Sequence, residues 1–186
     1  MKATGIVRRI DDLGRVVIPK EIRRTMRIRE GDPLEIYTNR EGEVIFKKYS
    51  PIGELSGFAA EYADTLAKIG DLQVVITDRD VVIATGGVSK KEYGDKRISS
   101  GLEQVMERRQ LYLYRSGDER IAVTDDSDSH YIRCAMPIIA EGDLIGCVCS
   151  LGTLENGEAS LSESQGNTEE KLIQTAGVFL SKQHES

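Results

Sequence analysis

Short runs of apolar residues near the start of this chain alternate with polar positions at the period of β-structure. They predict four strands, at residues 5–11, 15–18, 34–37 and 44–47. Asp12-Leu13-Gly14 joins the first two runs as a turn, and Asn39-Arg40-Glu41-Gly42 joins the last two as a hairpin. Pro19 closes the second run and suits the first turn of a helix. Residues 20–27 therefore predict a short helix, which Gly31-Asp32-Pro33 ends.

Beyond residue 53 the apolar residues follow longer patterns, which predict helices as well as strands. Apolar residues three and four apart over residues 54–69 predict an amphipathic helix, and a second helix is predicted over residues 98–109. A polar loop over residues 152–167 precedes a last helix, capped by Asn167 or Thr168. Further strands are predicted at residues 73–77, 81–85, 111–114, 121–124, 131–140 and 144–151. Tight turns at Asp78-Arg79-Asp80 and Glu141-Gly142-Asp143 join two pairs of them, so the fold class is α+β around an antiparallel sheet.

Ser50-Pro51-Ile52-Gly53 interrupts both patterns and indicates a domain boundary. We expect an N-terminal domain at residues 1–50, a linker at 51–53 and a second domain at 54–186. A domain of about fifty residues usually needs a disulfide, a metal or a partner to be stable. No cysteine precedes Cys134 and the two histidines are distant, so the N-terminal domain is predicted to be an obligate dimer.

Charge is distributed unevenly between these domains. Residues 1–52 carry 12 basic and 8 acidic side chains (+4), whereas the remainder carries 13 and 23 (−10). This split favours a basic binding module on an acidic body, although the net charge of −6 alone argues against nucleic-acid binding. No apolar run reaches membrane-spanning length and no secretory signal is evident, which predicts a cytoplasmic protein that contacts no membrane.

The N-terminal region resembles the swapped-hairpin DNA-binding domain of the AbrB family of transition-state regulators. The resemblance is carried by Thr4-Gly5-Ile6-Val7-Arg8, residues 13–19, Glu21-Ile22-Arg23-Arg24-Thr25 and residues 31–37. It implies a dimer that interleaves hairpins from two chains and binds double-stranded DNA. The residues implied in DNA contact are Arg8, Arg15, Arg23 and Arg24, with Arg9 beside the first. Lys2, Lys47 and Lys48 are further candidates for backbone contacts, with solvated lysine the alternative.

The remainder is similar to a GAF domain, and the combination resembles two-domain sporulation regulators of the AbrB family. That resemblance implies activation and repression of forespore genes, and an unidentified small molecule in the GAF-like domain. The helical stripes at its two ends suggest an interface between subunits, giving a homotetramer, with plain domain core as the alternative. The residues expected there are Leu55, Phe58, Tyr62, Leu66, Leu172, Ile173 and Phe179.

Two other functions remain open at this point. A swapped-hairpin antitoxin would carry a disordered tail, whereas more than a hundred residues here have the pattern of a fold. A GAF-fold, thiol-dependent methionine sulfoxide reductase would need reactive cysteines, but Cys134, Cys147 and Cys149 are predicted to be core thiols. His130 and His184 are expected to be solvated, and the Asp125-Asp126-Ser127-Asp128 run to be a solvated turn. We therefore expect no catalysis, no metal and no cofactor.

Overall fold

The computed structural model describes residues 5–127, 129–153 and 163–184. Lys2 and Asp128 lie outside these ranges, as do residues 154–162 of the predicted polar loop. The chain forms two compact units, Met1–Tyr49 and Ser50–Ser186. Unit 1 contains α1 (Lys20–Thr25), β1 (Leu34–Thr38) and β2 (Val44–Lys48). Unit 2 contains α2 (Pro51–Glu54), α3 (Ser56–Gly70), β3 (Gln73–Thr77), β4 (Val82–Gly86), α4 (Lys90–Tyr93), α5 (Ser100–Glu107), β5 (Tyr112–Leu113), β6 (His130–Ala140), β7 (Asp143–Thr153) and α6 (Glu163–His184).

The β1–β2 hairpin of unit 1 confirms the prediction from alternation. Its register runs from Leu34 opposite Lys48 to Thr38 opposite Val44. The side chain of Asn39 closes the loop, since its Oδ1 accepts hydrogen bonds from two backbone amides beyond it. Gly42 supplies the positive φ of 82° that this loop requires.

Residues 5–11 and 15–18 are not strands within the single chain, so that prediction is wrong for the chain taken alone. The turn between them does form, with backbone bonds of 3.0 Å from Gly14 N to Asp11 O and from Asp11 N to Arg15 O. A strand requires a neighbour for its backbone groups, and local sequence preference does not supply one. These two segments stay outside any sheet because no strand among residues 5–49 pairs with them.

Helix α1 is shorter than predicted and ends at Thr25, two residues before the predicted end at Arg27. Arg27 adopts a positive φ of 51°, and the amides of Arg27 and Ile28 bond back to the carbonyls of Arg24 and Arg23. This pattern is a Schellman motif, in which arginine occupies the position usually taken by glycine. The backbone of the helix end, and not the downstream Gly31, therefore stops the helix.

Unit 2 is built on a five-stranded antiparallel sheet in the order β4-β3-β7-β6-β5. Its longest hairpin, β6–β7, turns at Glu141 and Gly142, whose φ values are 50° and 87°. Two successive positive values define a two-residue turn that matches the twist of the strands. Both turns predicted in this sheet are confirmed, and Asp78 Oδ1 accepts the amides of Asp80 and Val81 in the other.

Two apolar cores cover the two faces of this sheet. The first lies under α3 and α6 and includes Ala63, Leu66 and Ile173. The second lies under α5, whose Leu102, Val105 and Met106 are buried. The sheet is thus the middle layer between helices on both sides.

Several boundaries in unit 2 differ from the prediction. Residues 121–124 form no strand, because the carbonyls of Ile121 and Val123 instead accept single bonds from Ile132 and Ser99. The strand predicted at 111–114 shortens to β5, and α6 begins at Glu163 rather than Asn167. The expected linker residues form a helical turn that buries Ile52 completely in the first core. Within the described ranges, no helix is both long and apolar enough to cross a membrane.

Candidate nucleic-acid interface

Helix α1 presents a pair of adjacent arginines to solvent. Arg23 and Arg24 occupy its last turn, and none of the residues of the helix is buried. Among the described residues, neither arginine forms an ion pair, so both guanidinium groups are available to an anion. Arginine pairs bidentately with phosphate or with the edge of guanine, which suits these groups to DNA.

The remaining arginines lie on the extended segments around the turn at residues 11–14. Arg8, Arg9 and Arg15 are exposed. Arg15 is fixed by Asp11, whose Oδ2 accepts a 2.8 Å hydrogen bond from Arg15 Nε. Hydrogen bonds from the backbone amide and then the side chain of Arg15 hold the pKa of Asp11 below its usual value. Sequence reasoning did not single out Asp11, because a carboxylate four residues before an arginine does not by itself predict that the two side chains meet.

The candidate lysines have different environments. Lys47 is exposed and lies 4.6 Å from the ring centroid of Tyr37, where a cation–π contact orients it. Lys48 is engaged within unit 1, because its Nζ donates to the carbonyl of Arg27 at 3.0 Å and lies 3.6 Å from Asp32. Lys48 therefore secures the end of α1 rather than extending the basic surface.

Unit 1 also exposes a large apolar surface. Val7 is 84% exposed, and Ile10, Leu13 and Val17 are each 70% exposed. Between residues 5 and 49, Pro19 alone is classed as buried. Apolar exposure on this scale in a small unit marks an interaction surface.

In unit 2, the expected oligomerisation residues divide between core and surface. Leu66 and Ile173 are buried in the first core, so they are not available to another subunit, and the alternative of plain core is correct for both. Leu55, Tyr62 and Leu172 are partly buried. Phe58 and Phe179 remain 36% and 37% exposed. With Tyr62 they form an aromatic cluster between α3 and α6, with ring centroids 5.4–6.3 Å apart.

The three cysteines are buried, which confirms the prediction of core thiols. Cys147 and Cys149 share the second core with their sulfur atoms 3.7 Å apart, whereas Cys134 lies in the first core. Burial raises the pKa of Cys134 and that of Cys147 well above the usual thiol value. Such thiols are poor nucleophiles, because the thiolate is the reactive form.

His130 is not solvated, contrary to expectation. Its Nδ1 lies 2.8 Å from the hydroxyl of the fully buried Tyr93, which also lies 2.8 Å from Ser127 Oγ. Ser127 Oγ donates to Glu92 at 2.9 Å. Burial raises the pKa of Glu92, but hydrogen bonds from Ser127, Ser129 and Tyr93 and the nearby His130 together lower it further than burial raises it. The sequence did not reveal this network because its members are more than thirty positions apart.

The remaining polar residues considered from the sequence form no further site among the described residues. Asp125 and Asp126 are exposed, as expected of a solvated turn, but Ser127 of the same run is buried, so the prediction is wrong for that residue. No group of three potential metal ligands is present among the residues that the structure describes. The side chain of His184 lies outside the described set.

Comparison with known proteins separates the chain between residues 53 and 54, four residues beyond the boundary of the two compact units. Residues 54–185 match the family model "Stage V sporulation protein T C-terminal, transcription factor". Residues 7–53 match the model "Antidote-toxin recognition MazE, bacterial antitoxin".

Two curated relatives from Bacillus subtilis (strain 168) are similar to the chain. Stage V sporulation protein T is 52% identical, covering 100% of this chain and 99% of the relative. Transition state regulatory protein AbrB is 63% identical over 51 residues, covering 27% of this chain and 52% of that protein. Among solved structures, the GAF domain/HD domain protein from Geobacter sulfurreducens is 12% identical, with a TM-score of 0.50 over 75% of this chain and 99% of the other. This last likeness concerns the fold alone.

The fold and these similarities define a two-domain transcription regulator, with an AbrB-like N-terminal domain and a GAF-like C-terminal domain. The chain belongs to the stage V sporulation protein T family of transcription factors.

Proposed function

We propose that this protein binds double-stranded DNA as a homodimer of unit 1 and both activates and represses sporulation genes of the forespore. The observation that carries the proposal is the set of exposed arginines on α1 and around the turn at residues 11–14. The contacting residues proposed are Arg8, Arg9, Arg15, Arg23, Arg24 and Lys47, together with Lys2. The similarity of this region to AbrB supports the same reading.

Dimerisation follows from the exposed apolar surface and the unpaired segments of unit 1. A partner chain that paired with residues 5–11 and 15–18 would cover Val7, Ile10 and Val17 and satisfy their backbone groups. Residues 1–52 expressed alone should therefore sediment as a folded dimer in analytical ultracentrifugation. A folded monomer at micromolar concentration would exclude a shared hairpin.

Salt dependence tests the proposed DNA contacts. Each phosphate contact contributes about 0.9 to the slope of log K against log salt concentration. Arg24→Ala should lower that slope by about two, because a dimer loses two contacts, and weaken binding by about 1–3 kcal/mol per site. Arg40→Ala removes the same charge from the β1–β2 loop and is the matched control. Equal effects of the two variants would refute a specific role for α1.

We also propose that unit 2 joins two dimers into a tetramer through the aromatic cluster of Phe58, Tyr62 and Phe179. Exposed aromatic side chains on neighbouring helices are typical anchors of interfaces. Phe58→Glu with Phe179→Glu should halve the particle mass measured by light scattering and weaken binding to long DNA more than to short DNA. Leu113→Glu alters a residue of similar exposure on the edge strand β5 and should leave the mass unchanged. A wild-type particle that is a dimer at every concentration would exclude the tetramer.

A small polar molecule bound in unit 2 is a third proposal. The buried hydroxyls of Tyr112 and Thr124 have no hydrogen-bond partner among the described residues. Tyr112 packs against the second core, and Thr124 directly follows Val123 of that core. Because buried polar groups are rarely left unpaired, a bound molecule offering polar atoms beside either hydroxyl would complete it. Native mass spectrometry of the purified protein, compared with Thr124→Val, tests this: a mass adduct lost in the variant is expected.

We propose no catalytic activity and no antitoxin role. The raised pKa of Cys134 and of Cys147 argues against a thiol-dependent reductase. The antitoxin similarity is confined to residues 7–53, whereas residues 54–185 match a transcription-factor model. Reduction of methionine sulfoxide by the purified protein would contradict the first statement.

A further inference from the structure

The turn at residues 11–14 is organised by one carboxylate. Asp11 Oδ1 accepts hydrogen bonds from the amides of Leu13 at 3.0 Å and Arg15 at 2.7 Å. Its Oδ2 accepts from Arg15 Nε at 2.8 Å. One side chain therefore fixes both the backbone that carries Arg15 and the guanidinium group at the end of its side chain.

The geometry leaves the recognition edge of Arg15 open. A guanidinium group has five N–H donors, and Asp11 engages the one on Nε. The two terminal nitrogens carry the other four, and the side chain of Arg15 remains 70% exposed. That terminal pair is the edge that forms parallel hydrogen bonds to guanine O6 and N7 or to two phosphate oxygens.

The carboxylate also changes how Arg15 responds to DNA in general. A negative charge 2.8 Å from the guanidinium offsets its long-range attraction for the phosphate backbone. At the same time, a side chain already held in place loses less conformational freedom when it binds. The first effect weakens contacts to DNA of any sequence. The second strengthens those contacts whose geometry matches the fixed orientation of the guanidinium group.

We propose that Asp11 is a positioning residue that makes Arg15 selective for its DNA site. The inference rests on the proposed DNA-binding function and adds a distinction within it. Selectivity arises because Asp11 removes non-specific attraction from Arg15 while presenting its terminal nitrogens in one orientation.

A substitution series separates this role from simple turn stabilisation. Asp11→Asn keeps an oxygen that accepts the two backbone amides, but its NH₂ group cannot accept from Arg15 Nε. If Asp11 only stabilised the turn, Asp11→Asn would leave DNA selectivity unchanged, whereas Asp11→Ala would lower it. Asp12→Asn removes an equal charge from the exposed neighbouring position and is the matched control.

The measurement is the ratio of affinities for two duplexes at one salt concentration. The first is a duplex selected by the wild-type protein from random DNA, and the second is a scrambled duplex of the same composition. Asp11→Asn should lower this ratio by about 3- to 10-fold for each chain of the proposed dimer, the gain expected from fixing one long side chain, while affinity for the scrambled duplex holds or rises. Asp12→Asn should keep the wild-type ratio.

Combination with Arg15→Ala decides the outcome. If Asp11 acts through Arg15, adding Asp11→Asn to Arg15→Ala should change the ratio no further. An undiminished ratio in Asp11→Asn, or an equal fall in both backgrounds, overturns the inference while DNA binding by the wild type still stands. If the wild type itself shows no salt-dependent binding to any duplex, the proposed function fails instead. Matched thermal unfolding of Asp11→Asn and wild type confirms that the variant is folded.

Discussion

The ion pair between Arg133 and Glu169 gives a sharp test of how α6 is held on the sheet. Arg133 lies on β6 where its register with β7 shifts, and its Nε and terminal nitrogen donate to the two carboxylate oxygens of Glu169 on α6. The Glu169 side chain is 5% exposed and that of Arg133 is 23% exposed. Arg133→Met keeps much of the apolar stem but leaves a buried carboxylate without its partner.

The expected cost follows from this burial. Removing one partner of a fully buried pair costs about 3–5 kcal/mol. Since Arg133 retains partial access to solvent, we expect about 3 kcal/mol, at the lower end of that range. If the free energy of unfolding falls by about 2 kcal/mol per molar of urea, the urea concentration at the unfolding midpoint of unit 2 should fall by about 1–2 M.

Urea unfolding followed by far-ultraviolet circular dichroism provides the measurement, because the long helices α3 and α6 dominate the signal. Lys68→Met is the matched control. It breaks the pair between Lys68 and Asp64, whose side chains are 74% and 56% exposed, and should cost at most about 1 kcal/mol.

Two outcomes would refute the reasoning. One is an Arg133→Met midpoint no lower than that of Lys68→Met, which would mean that solvent screens the Arg133 pair as it does the exposed one. The other concerns Arg133→Met combined with Glu169→Leu, which removes the stranded charge and should recover most of the loss. If the double variant stays as unstable as the single one, lost packing rather than an unpaired charge explains the effect.

Two further predictions concern close packing and the buried network. Gly86→Ala should destabilise unit 2 by about 1–3 kcal/mol in urea unfolding, because the added Cβ would lie 2.1 Å from the carbonyl oxygen of Ala63. Gly57→Ala is the control: an added Cβ there has nothing within 4 Å, so the change should be neutral or stabilising. Equal costs of the two changes would contradict the packing argument. Tyr93→Phe should cost about 1–2 kcal/mol, with Tyr114→Phe as a control. Burial raises the pKa of Tyr93 to about 12. The stability that the neutral hydroxyl contributes is therefore present below pH 10 and is lost as the pH rises toward 12. In thermal unfolding, Tyr93→Phe should lack that loss of stability at alkaline pH.

Local patterns predicted those parts of the fold that depend on neighbours in sequence. The β6–β7 hairpin was predictable because its alternation and the turn at Glu141 and Gly142 lie within one continuous stretch. Helix α5 was predictable for the same reason, since its apolar positions lie on one face.

Predictions failed where a distant partner decides the outcome. Residues 121–124 have strand-like composition but bond singly to Ser99 and Ile132, so no ladder forms. The stripe on α3 does not reveal which of its residues face the sheet of the same chain, and Leu66 proves to be core whereas Phe58 stays at the surface. The pairing of Arg133 with Glu169 joins positions 36 apart, which no local period encodes.

The candidate DNA-binding arginines came from composition and resemblance, while their arrangement came from the structure. Arg23 and Arg24 were expected on a helix and lie in its last turn. The restraint of Arg15 by Asp11 needed the turn geometry, because an acidic residue near a basic one in sequence is more often a solvated neighbour than an orienting contact.

The nearly coreless unit 1 has a consequence for how regulation would respond to protein supply. Between residues 5 and 49 Pro19 alone is buried, so under the proposed dimerisation the form that binds DNA would exist only when two chains meet. At concentrations below the dimerisation constant, the amount of that form grows with the square of total chain, so a threefold rise in synthesis yields about a ninefold rise in competent protein. The amount of DNA-binding protein would therefore rise more steeply than the number of gene copies, even when no effector is bound.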